Sequence, residues 1–150
     1  MLELKDENII LGNKKEFAQF LGKNYSVVHA TKSSFPKPNT KLNSVIEKEK
    51  NLYINWVDLP DPGSFTLKSF DIALNFIYSS TKKNTVFIYC DYAQSRSPTL
   101  LFVYLAKYTD LIPKDFFGAI DRFKEMYPQY HTPTGISQFV KKNWNELILL

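Results

Sequence analysis

The 150-residue sequence contains one cysteine, two histidines and two arginines, and these scarcities exclude several classes of protein. A single cysteine excludes an internal disulfide, and one cysteine with two isolated histidines, His29 and His131, does not make a metal site. Apolar runs such as Leu100 to Ala106 fall far below the roughly 20 residues that a membrane-spanning helix needs. We therefore expect no metal, no cofactor and no membrane partner.

Charge is also modest, because the net value of +4 comes almost wholly from lysine. A lysine-rich surface tolerates an anionic ligand, but no stripe of interleaved basic and aromatic residues predicts a nucleic-acid partner. The acidic N-terminal segment from Met1 to Glu7 does not resemble a secretory signal. We expect one domain over residues 1–150, a monomer, and a reducing cytoplasmic location that keeps a thiol usable.

The most informative segment runs from Val86 to Thr99 and places the only cysteine between an apolar strand and an apolar helix. Val86 to Tyr89 is β-branched and aromatic, as in a buried strand, and Thr99 to Tyr108 has apolar residues at helical spacing. Pro98 suits a first helical turn, with Ser97 in a capping position before it. The intervening loop should end at a helix N-terminus, which favours a bound phosphate and a nearby thiolate.

Strands and helices alternate along the chain, which predicts an α/β fold with a central, mainly parallel sheet flanked by helices. The predicted strands are Leu52 to Val57 and Val86 to Tyr89, and the predicted helices are Phe65 to Ser80, Pro98 to Tyr108, Lys114 to Met126 and Gly135 to Leu147. The polar stretch from Lys32 to Lys50 is predicted to be a loop. The loop after Cys90 would lie at the carboxyl edge of the sheet, where such folds bind ligands.

Cys90, five intervening residues and then Arg96-Ser97-Pro98-Thr99 resemble the active-site signature of the cysteine-based protein tyrosine phosphatases. Its ending is similar to that of the dual-specificity branch. A weaker likeness runs from Asn8-Ile9-Ile10-Leu11-Gly12-Asn13 through a short amphipathic helix to Tyr25-Ser26-Val27-Val28-His29. The resemblance covers roughly Ile9 to Trp144 and implies a small dual-specificity phosphatase-like fold.

The resemblance also implies roles for the signature residues. Cys90 would be the nucleophile, Arg96 would bind the phosphate oxygens, and Ser97 would hydrogen-bond the sulfur. The other residues that would surround the phosphate with their backbone N–H groups are Asp91, Tyr92, Ala93, Gln94 and Ser95. Two uses of Tyr92 remain open, stacking on an aryl phosphate or shielding the pocket from solvent. The charge of Asp91 argues against polyanionic phosphoinositides as substrates.

Two positions depart from the family pattern. Tyr89 stands where the family usually has a histidine that orders the loop, and Ala93 stands where it usually has glycine. Glycine is used where the backbone needs a positive φ, which alanine tolerates poorly. Either the activity is reduced or the loop adapts to these two residues.

A thiol phosphatase also needs an acid that protonates the leaving oxygen, and the family takes it from an aspartate upstream of the cysteine. The segment from Asn55 to Gly63 offers Asp58 and Asp61. Trp56-Val57-Asp58 resembles the tryptophan-x-aspartate of the tyrosine phosphatase acid loop, which favours Asp58. Asp61 precedes Pro62-Gly63, where aspartate is a common turn residue.

The resemblance implies a metal-independent phosphatase for phosphomonoesters of proteins, namely phosphotyrosine and also phosphoserine or phosphothreonine, acting through a phosphocysteine intermediate. One alternative is a phosphatase for RNA 5′-ends or a small molecule. A second alternative is a catalytically weak phosphate-binding module, motivated by Tyr89 and Ala93. A working enzyme is favoured because Cys90, Arg96 and Ser97 are all present.

Overall fold

The computed structural model describes residues 1–149, and within them a six-stranded sheet is packed between helices. The strands are β1 (Leu2–Leu4), β2 (Ile9–Asn13), β3 (Ser26–His29), β4 (Val45–Lys48), β5 (Asn51–Ile54) and β6 (Val86–Cys90). They lie in the order β1-β2-β6-β3-β5-β4, with four parallel strands in the centre and an antiparallel strand at each edge. The predicted α/β fold with a mainly parallel sheet is confirmed.

Helices cover both faces of this sheet. They are α1 (Lys14–Phe17), α2 (Leu67–Thr81), α3 (Arg96–Tyr108), α4 (Phe116–Met126), α5 (Gly135–Lys142) and α6 (Trp144–Leu149). The larger core lies between the sheet and α2 to α6, and α3 runs through it with residues 96–106 all buried. None of the helices in residues 1–149 is both long enough and apolar enough to cross a membrane.

The central position of β6 follows from its composition. All five of its residues are buried, and it pairs in parallel with β2 on one side and β3 on the other. A strand buried on both faces needs a continuous apolar run rather than an alternating pattern, and Val86 to Tyr89 supplies one. Cys90 is therefore held at the carboxyl end of a fully buried central strand.

Helix caps explain why two helices begin later than predicted. Thr66 accepts the N–H of Ser69 (3.3 Å), so α2 begins at Leu67 rather than Phe65. Asp115 accepts the N–H of Gly118 (2.8 Å) and likewise moves the start of α4 from Lys114 to Phe116. Side chains that bond these free N–H groups fix the first helical turn more sharply than apolar spacing can.

Three further predictions were wrong. The loop predicted from Lys32 to Lys50 contains β4, an edge strand with two half-buried and two exposed residues. The single helix predicted from Gly135 to Leu147 is two helices, because Asn143 leaves the helical conformation (φ −109°, ψ 22°) and ends α5. The strand predicted to extend to Val57 ends at Ile54, and the chain then enters the segment that carries Asp58.

Candidate active site

The Cys90 thiol lies at the junction between β6 and α3. Its Sγ accepts two hydrogen bonds from Ser97, one from the backbone N–H (3.3 Å) and one from the hydroxyl (3.0 Å). Ser97 was predicted as a helix cap, but α3 begins at Arg96, and Ser95 holds the cap position with its hydroxyl on Thr134 (3.0 Å). Two hydrogen-bond donors and the positive end of the helix dipole therefore face the sulfur.

The loop from Asp91 to Arg96 leaves its backbone N–H groups without protein acceptors among the described residues. Within residues 1–149, none of these six N–H groups donates to a protein acceptor. Several carbonyls of the loop are bonded in contrast, including those of Asp91, Ala93 and Gln94. A loop at a helix N-terminus whose carbonyls are hydrogen-bonded and whose N–H groups lack acceptors is typical of anion-binding sites. We call residues 91–96 the cradle.

The Arg96 side chain is buried, with 6 % exposure, and protein groups bind the two terminal nitrogens of its guanidinium. Its Nη1 donates to Thr31 Oγ1 (3.0 Å) and to the carbonyl oxygen of Trp56 (2.8 Å), and its Nη2 lies 3.4 Å from Asp91 Oδ2. Its Nε is buried and has no hydrogen-bond partner among the described residues. A buried guanidinium with an unpaired N–H is costly, so this edge indicates a place for an anionic ligand.

Asp91 is tied into the same arrangement. Its Oδ1 accepts the hydroxyls of Thr31 (3.0 Å) and Ser33 (2.6 Å). Partial burial alone would raise the Asp91 pKa, but the hydrogen bonds from Ser33 and Thr31 and the charge of Arg96 outweigh it, and the pKa is lowered. Asp91 is therefore a carboxylate that fixes the outer nitrogen of Arg96.

Tyr89 stands where the signature usually has a histidine. Its side chain is buried in the smaller apolar cluster, on the face of the sheet that packs against Phe17. Its hydroxyl lies 2.6 Å from Nδ1 of His29 and 2.7 Å from Oγ of Ser34, and its ring stacks on Phe17 at 4.6 Å. Burial raises the Tyr89 pKa to about 12. The departure from the pattern thus leaves no buried hydroxyl unpaired.

His29 is a buried histidine whose two ring nitrogens both have hydrogen-bond partners. Its Nε2 lies 2.9 Å from Asn51 Oδ1, and its ring stacks on Tyr53 at 4.2 Å. Burial lowers the His29 pKa, and the hydrogen bond to Asn51 offsets this only in part. The neutral imidazole therefore supports Tyr89 and the turn of Ser34.

Within residues 1–149, no three His, Cys, Asp or Glu side chains cluster as a metal site requires.

Ala93 adopts the left-handed backbone for which the family uses glycine. Its φ is +56°, its methyl group is buried, and its carbonyl accepts the hydroxyl of Tyr127 (2.6 Å). Burial, together with the nearby charge of Cys90, raises the Tyr127 pKa to about 12. The loop therefore keeps the conformation that a cradle needs, at the expense of backbone strain at Ala93.

We expect Ala93→Val to lower the free energy of unfolding by about 2 kcal/mol or more. A β-branched residue is strongly disfavoured at positive φ, and two extra methyl groups must enter a packed site. Ala93→Gly is the matched control and should stay within about 1 kcal/mol of wild type, because relief of strain and the added freedom of the unfolded chain oppose each other. Urea unfolding measures both. Equal stability of the valine variant and wild type would contradict the strain.

The segment that carries Asp58 contacts the cradle at one end and α5 at the other. At one end the carbonyl of Trp56 accepts Arg96, and at the other the carbonyl of Leu59 lies against Gly135, where an added Cβ would come within 1.9 Å of it. Glycine at position 135 is thus required for this close approach. Asp58 stands at the centre of a tight turn closed by Leu59 N–H and the Val57 carbonyl (2.8 Å), and its side chain is exposed.

Asp61 has a structural use instead. Its Oδ1 accepts the N–H of Gly63 (2.9 Å) and caps the short helical turn of residues 62–64. This is the turn role that the sequence offered as its alternative. Asp58 has no such hydrogen bond among the described residues and lies only two residues from the carbonyl that holds Arg96.

Sequence reasoning missed four residues of the site: Thr31, Ser33, Ser34 and Tyr127. The first three follow β3, which lies beside β6, at the carboxyl edge of the sheet. The hydroxyls of Thr31 and Ser33 bond Asp91 of the cradle, and the hydroxyl of Ser34 bonds Tyr89. A polar Thr-x-Ser-Ser run after a buried strand is the signal that could have located them. Tyr127 follows α4 and gives no comparable signal in the sequence.

No protein-family model matches the chain, and no curated protein matches it in sequence. Solved structures do match. Human DUSP28 is 16 % identical at a TM-score of 0.68, covering 94 % of each chain. DUSP15 is 20 % identical at a TM-score of 0.65, covering 94 % of this chain and 86 % of its own. PTPMT1, in complex with PI(5)P, is 19 % identical at a TM-score of 0.57, with coverages of 97 % and 88 %.

The chain has the fold of the dual-specificity phosphatases. The resemblance inferred from the Cys90 signature is therefore confirmed at the level of the fold. At these identities the shared feature is the dual-specificity phosphatase backbone, while the roles of individual side chains rest on the geometry described above.

Proposed function

We propose that this protein is a metal-independent phosphatase that hydrolyses phosphomonoesters through a phosphocysteine intermediate. The observation that carries the proposal is the convergence of three features on one loop: the Cys90 sulfur, the unpaired Nε edge of Arg96 and the six free N–H groups of the cradle. A dianionic phosphoryl group satisfies all of the N–H donors at once and brings its phosphorus to the sulfur.

In the first step, the Cys90 thiolate attacks phosphorus in line with the leaving oxygen. The S–P bond forms as the P–O bond breaks, while Arg96 and the cradle N–H groups hold the three equatorial oxygens. Asp58, in its carboxylic acid form, transfers its proton to the leaving oxygen and releases a neutral alcohol or phenol.

In the second step, water attacks the phosphocysteine. The Asp58 carboxylate accepts a proton from the water, and the S–P bond breaks to give inorganic phosphate. The returning negative charge on sulfur is stabilised by the two hydrogen bonds from Ser97, at 3.0 and 3.3 Å. Ser97 thus acts on the leaving sulfur, and the thiolate is regenerated without an external cofactor.

The substrates we propose are phosphorylated proteins, with phosphotyrosine first and phosphoserine or phosphothreonine as further candidates. Tyr92 is a residue of the cradle and is 77 % exposed, so its ring can contact an aryl group entering the site. Asp91 holds a negative charge against Arg96, which disfavours a polyanionic ligand. Because of this charge, we do not propose a ligand such as the PI(5)P that is bound in the PTPMT1 complex.

The conformations of Ala93 and Tyr89, the two residues that depart from the signature, support an enzyme rather than a weak phosphate-binding module. Ala93 keeps the left-handed conformation, and Tyr89 is bonded to His29 and Ser34 without displacing the cradle. The test is hydrolysis of a generic aryl phosphate by the wild-type protein, with and without a metal chelator. Turnover that is unaffected by the chelator supports the proposal, and absence of turnover would favour the binding module.

Arg96→Lys should lower kcat/KM for an aryl phosphate by on the order of 10²-fold or more. An ammonium cannot reproduce the planar fork, in which Nη1 binds Thr31 and Trp56 while Nε faces the phosphate. The matched control is Arg122→Lys, at the only other arginine of the chain, which is exposed and paired with Glu125. Steady-state kinetics measure both, and normal turnover by the Arg96 variant would remove Arg96 as the phosphate clamp.

A further inference from the structure

An apolar groove lies beside the candidate active site, between α4 and α5. It has a volume of about 420 Å³, and its apolar lining comes from Phe116, Phe117 and Ile120 of α4 and from Pro133. Phe117 is 68 % exposed, so the groove presents apolar surface directly to solvent. It contains none of the residues to which the proposed reaction assigns a role.

The groove is joined to the cradle by residues 127–134, which we call the bridging loop. The N–H of His131 donates to the carbonyl of Gln94 in the cradle (2.8 Å), and the next residue, Thr132, lines the groove. Because adjacent Cα atoms are 3.8 Å apart, the groove begins within about 8 Å of the cradle carbonyl. The groove and the cradle are therefore neighbours on either side of the bridging loop.

The rim of the groove carries positive charge. Lys141 lines it and places its Nζ 5.3 Å from the centre of the Phe117 ring. A ligand with an apolar side chain next to an acidic one would complement the apolar lining of the groove and the charge of Lys141.

We propose that the groove binds an apolar side chain of the phosphorylated protein substrate, two to four residues from the phosphorylated residue, with an acidic neighbour against Lys141. An extended peptide advances about 3.3 Å per residue, so this spacing covers the distance from cradle to groove. The inference rests on the proposed function and adds a sequence preference to it. A small aryl phosphate does not reach the groove, so only peptide substrates depend on it.

The test compares phosphotyrosine peptides that carry Leu-Glu, or Ser-Glu, starting three residues before or after the phosphotyrosine. For at least one placement we expect the leucine peptide to have a KM about tenfold lower at similar kcat, because remote binding acts equally on ground state and transition state. Phe117→Ala should abolish this preference and leave aryl phosphate turnover unchanged. Tyr78→Ala, an exposed aromatic on α2, is the matched control and should keep the preference.

Binding of the same peptides to Cys90→Ser, measured by fluorescence anisotropy, separates this inference from the proposed function. If the wild-type protein shows no turnover but Cys90→Ser binds the leucine peptides more tightly, the proposed phosphatase activity is contradicted and the groove remains a peptide-binding site. Equal affinity for leucine and serine peptides, or a preference that survives Phe117→Ala, would overturn the groove as a substrate site. A wild-type dimer that Phe117→Ala dissociates in sedimentation would assign the groove to a second copy and also overturn it.

Discussion

Cys90→Ser is expected to reduce aryl phosphate turnover by on the order of 10⁴-fold or more, which is the scale of losing a covalent nucleophile. A serine hydroxyl is protonated at neutral pH. Within residues 1–149 the groups hydrogen-bonded to Cys90 Sγ are the N–H and O–H of Ser97, which are both donors and not bases. The variant keeps Arg96 and the cradle, so it should still bind phosphate.

The measurement pairs steady-state kinetics with phosphate binding. Inorganic phosphate should raise the melting temperature of Cys90→Ser as much as that of wild type, because the donors that bind phosphate are unchanged. Arg96→Lys provides the contrasting control and should lose this phosphate-dependent stabilisation. Retained turnover in Cys90→Ser would rule out the thiol mechanism, whatever the binding result.

The centre of the site could be predicted from the sequence because its signal is local. The strand, the cradle and the start of α3 are contiguous over Val86 to Thr99, and each part has its own pattern of apolar spacing or helix-terminal residues. The clamp on Arg96 could not be predicted in the same way. Its partners, Thr31, Trp56 and Asp91, come from three different strand ends, and only the order of β6, β3 and β5 in the sheet brings them together.

The errors in the fold have a related cause. Edge strand β4 is half exposed and polar, so neither a buried run nor a turn dipeptide marks it, and its pairing with β5 is a non-local contact. The break between α5 and α6 falls at Asn143, inside a stretch whose apolar spacing continues across it. Periodicity reports which residues face the core, but it does not report where the backbone changes direction.

Asp58→Asn is expected to lower kcat by ~10²–10⁴-fold for substrates with poor leaving groups, the usual scale of general acid–base catalysis. An amide cannot give a proton to the leaving oxygen, so the loss should be smaller for 4-nitrophenyl phosphate, whose leaving group needs little protonation. The limb of the pH–rate profile that requires the protonated acid should also flatten. These two readouts distinguish a proton donor from a residue that only shapes the segment between Trp56 and Leu59.

Asp61→Asn is the matched control, because the two aspartates lie on the same segment and differ in their contacts. Asp61 caps the turn at Gly63 through a hydrogen bond (2.9 Å) that an asparagine oxygen can also accept, so its kcat and pH–rate profile should stay near wild type. The reverse pattern would move the acid role to Asp61. Near-wild-type rates in both variants would mean that neither aspartate reaches the leaving oxygen, and the weak-binding module would then explain the cradle better than the phosphatase does.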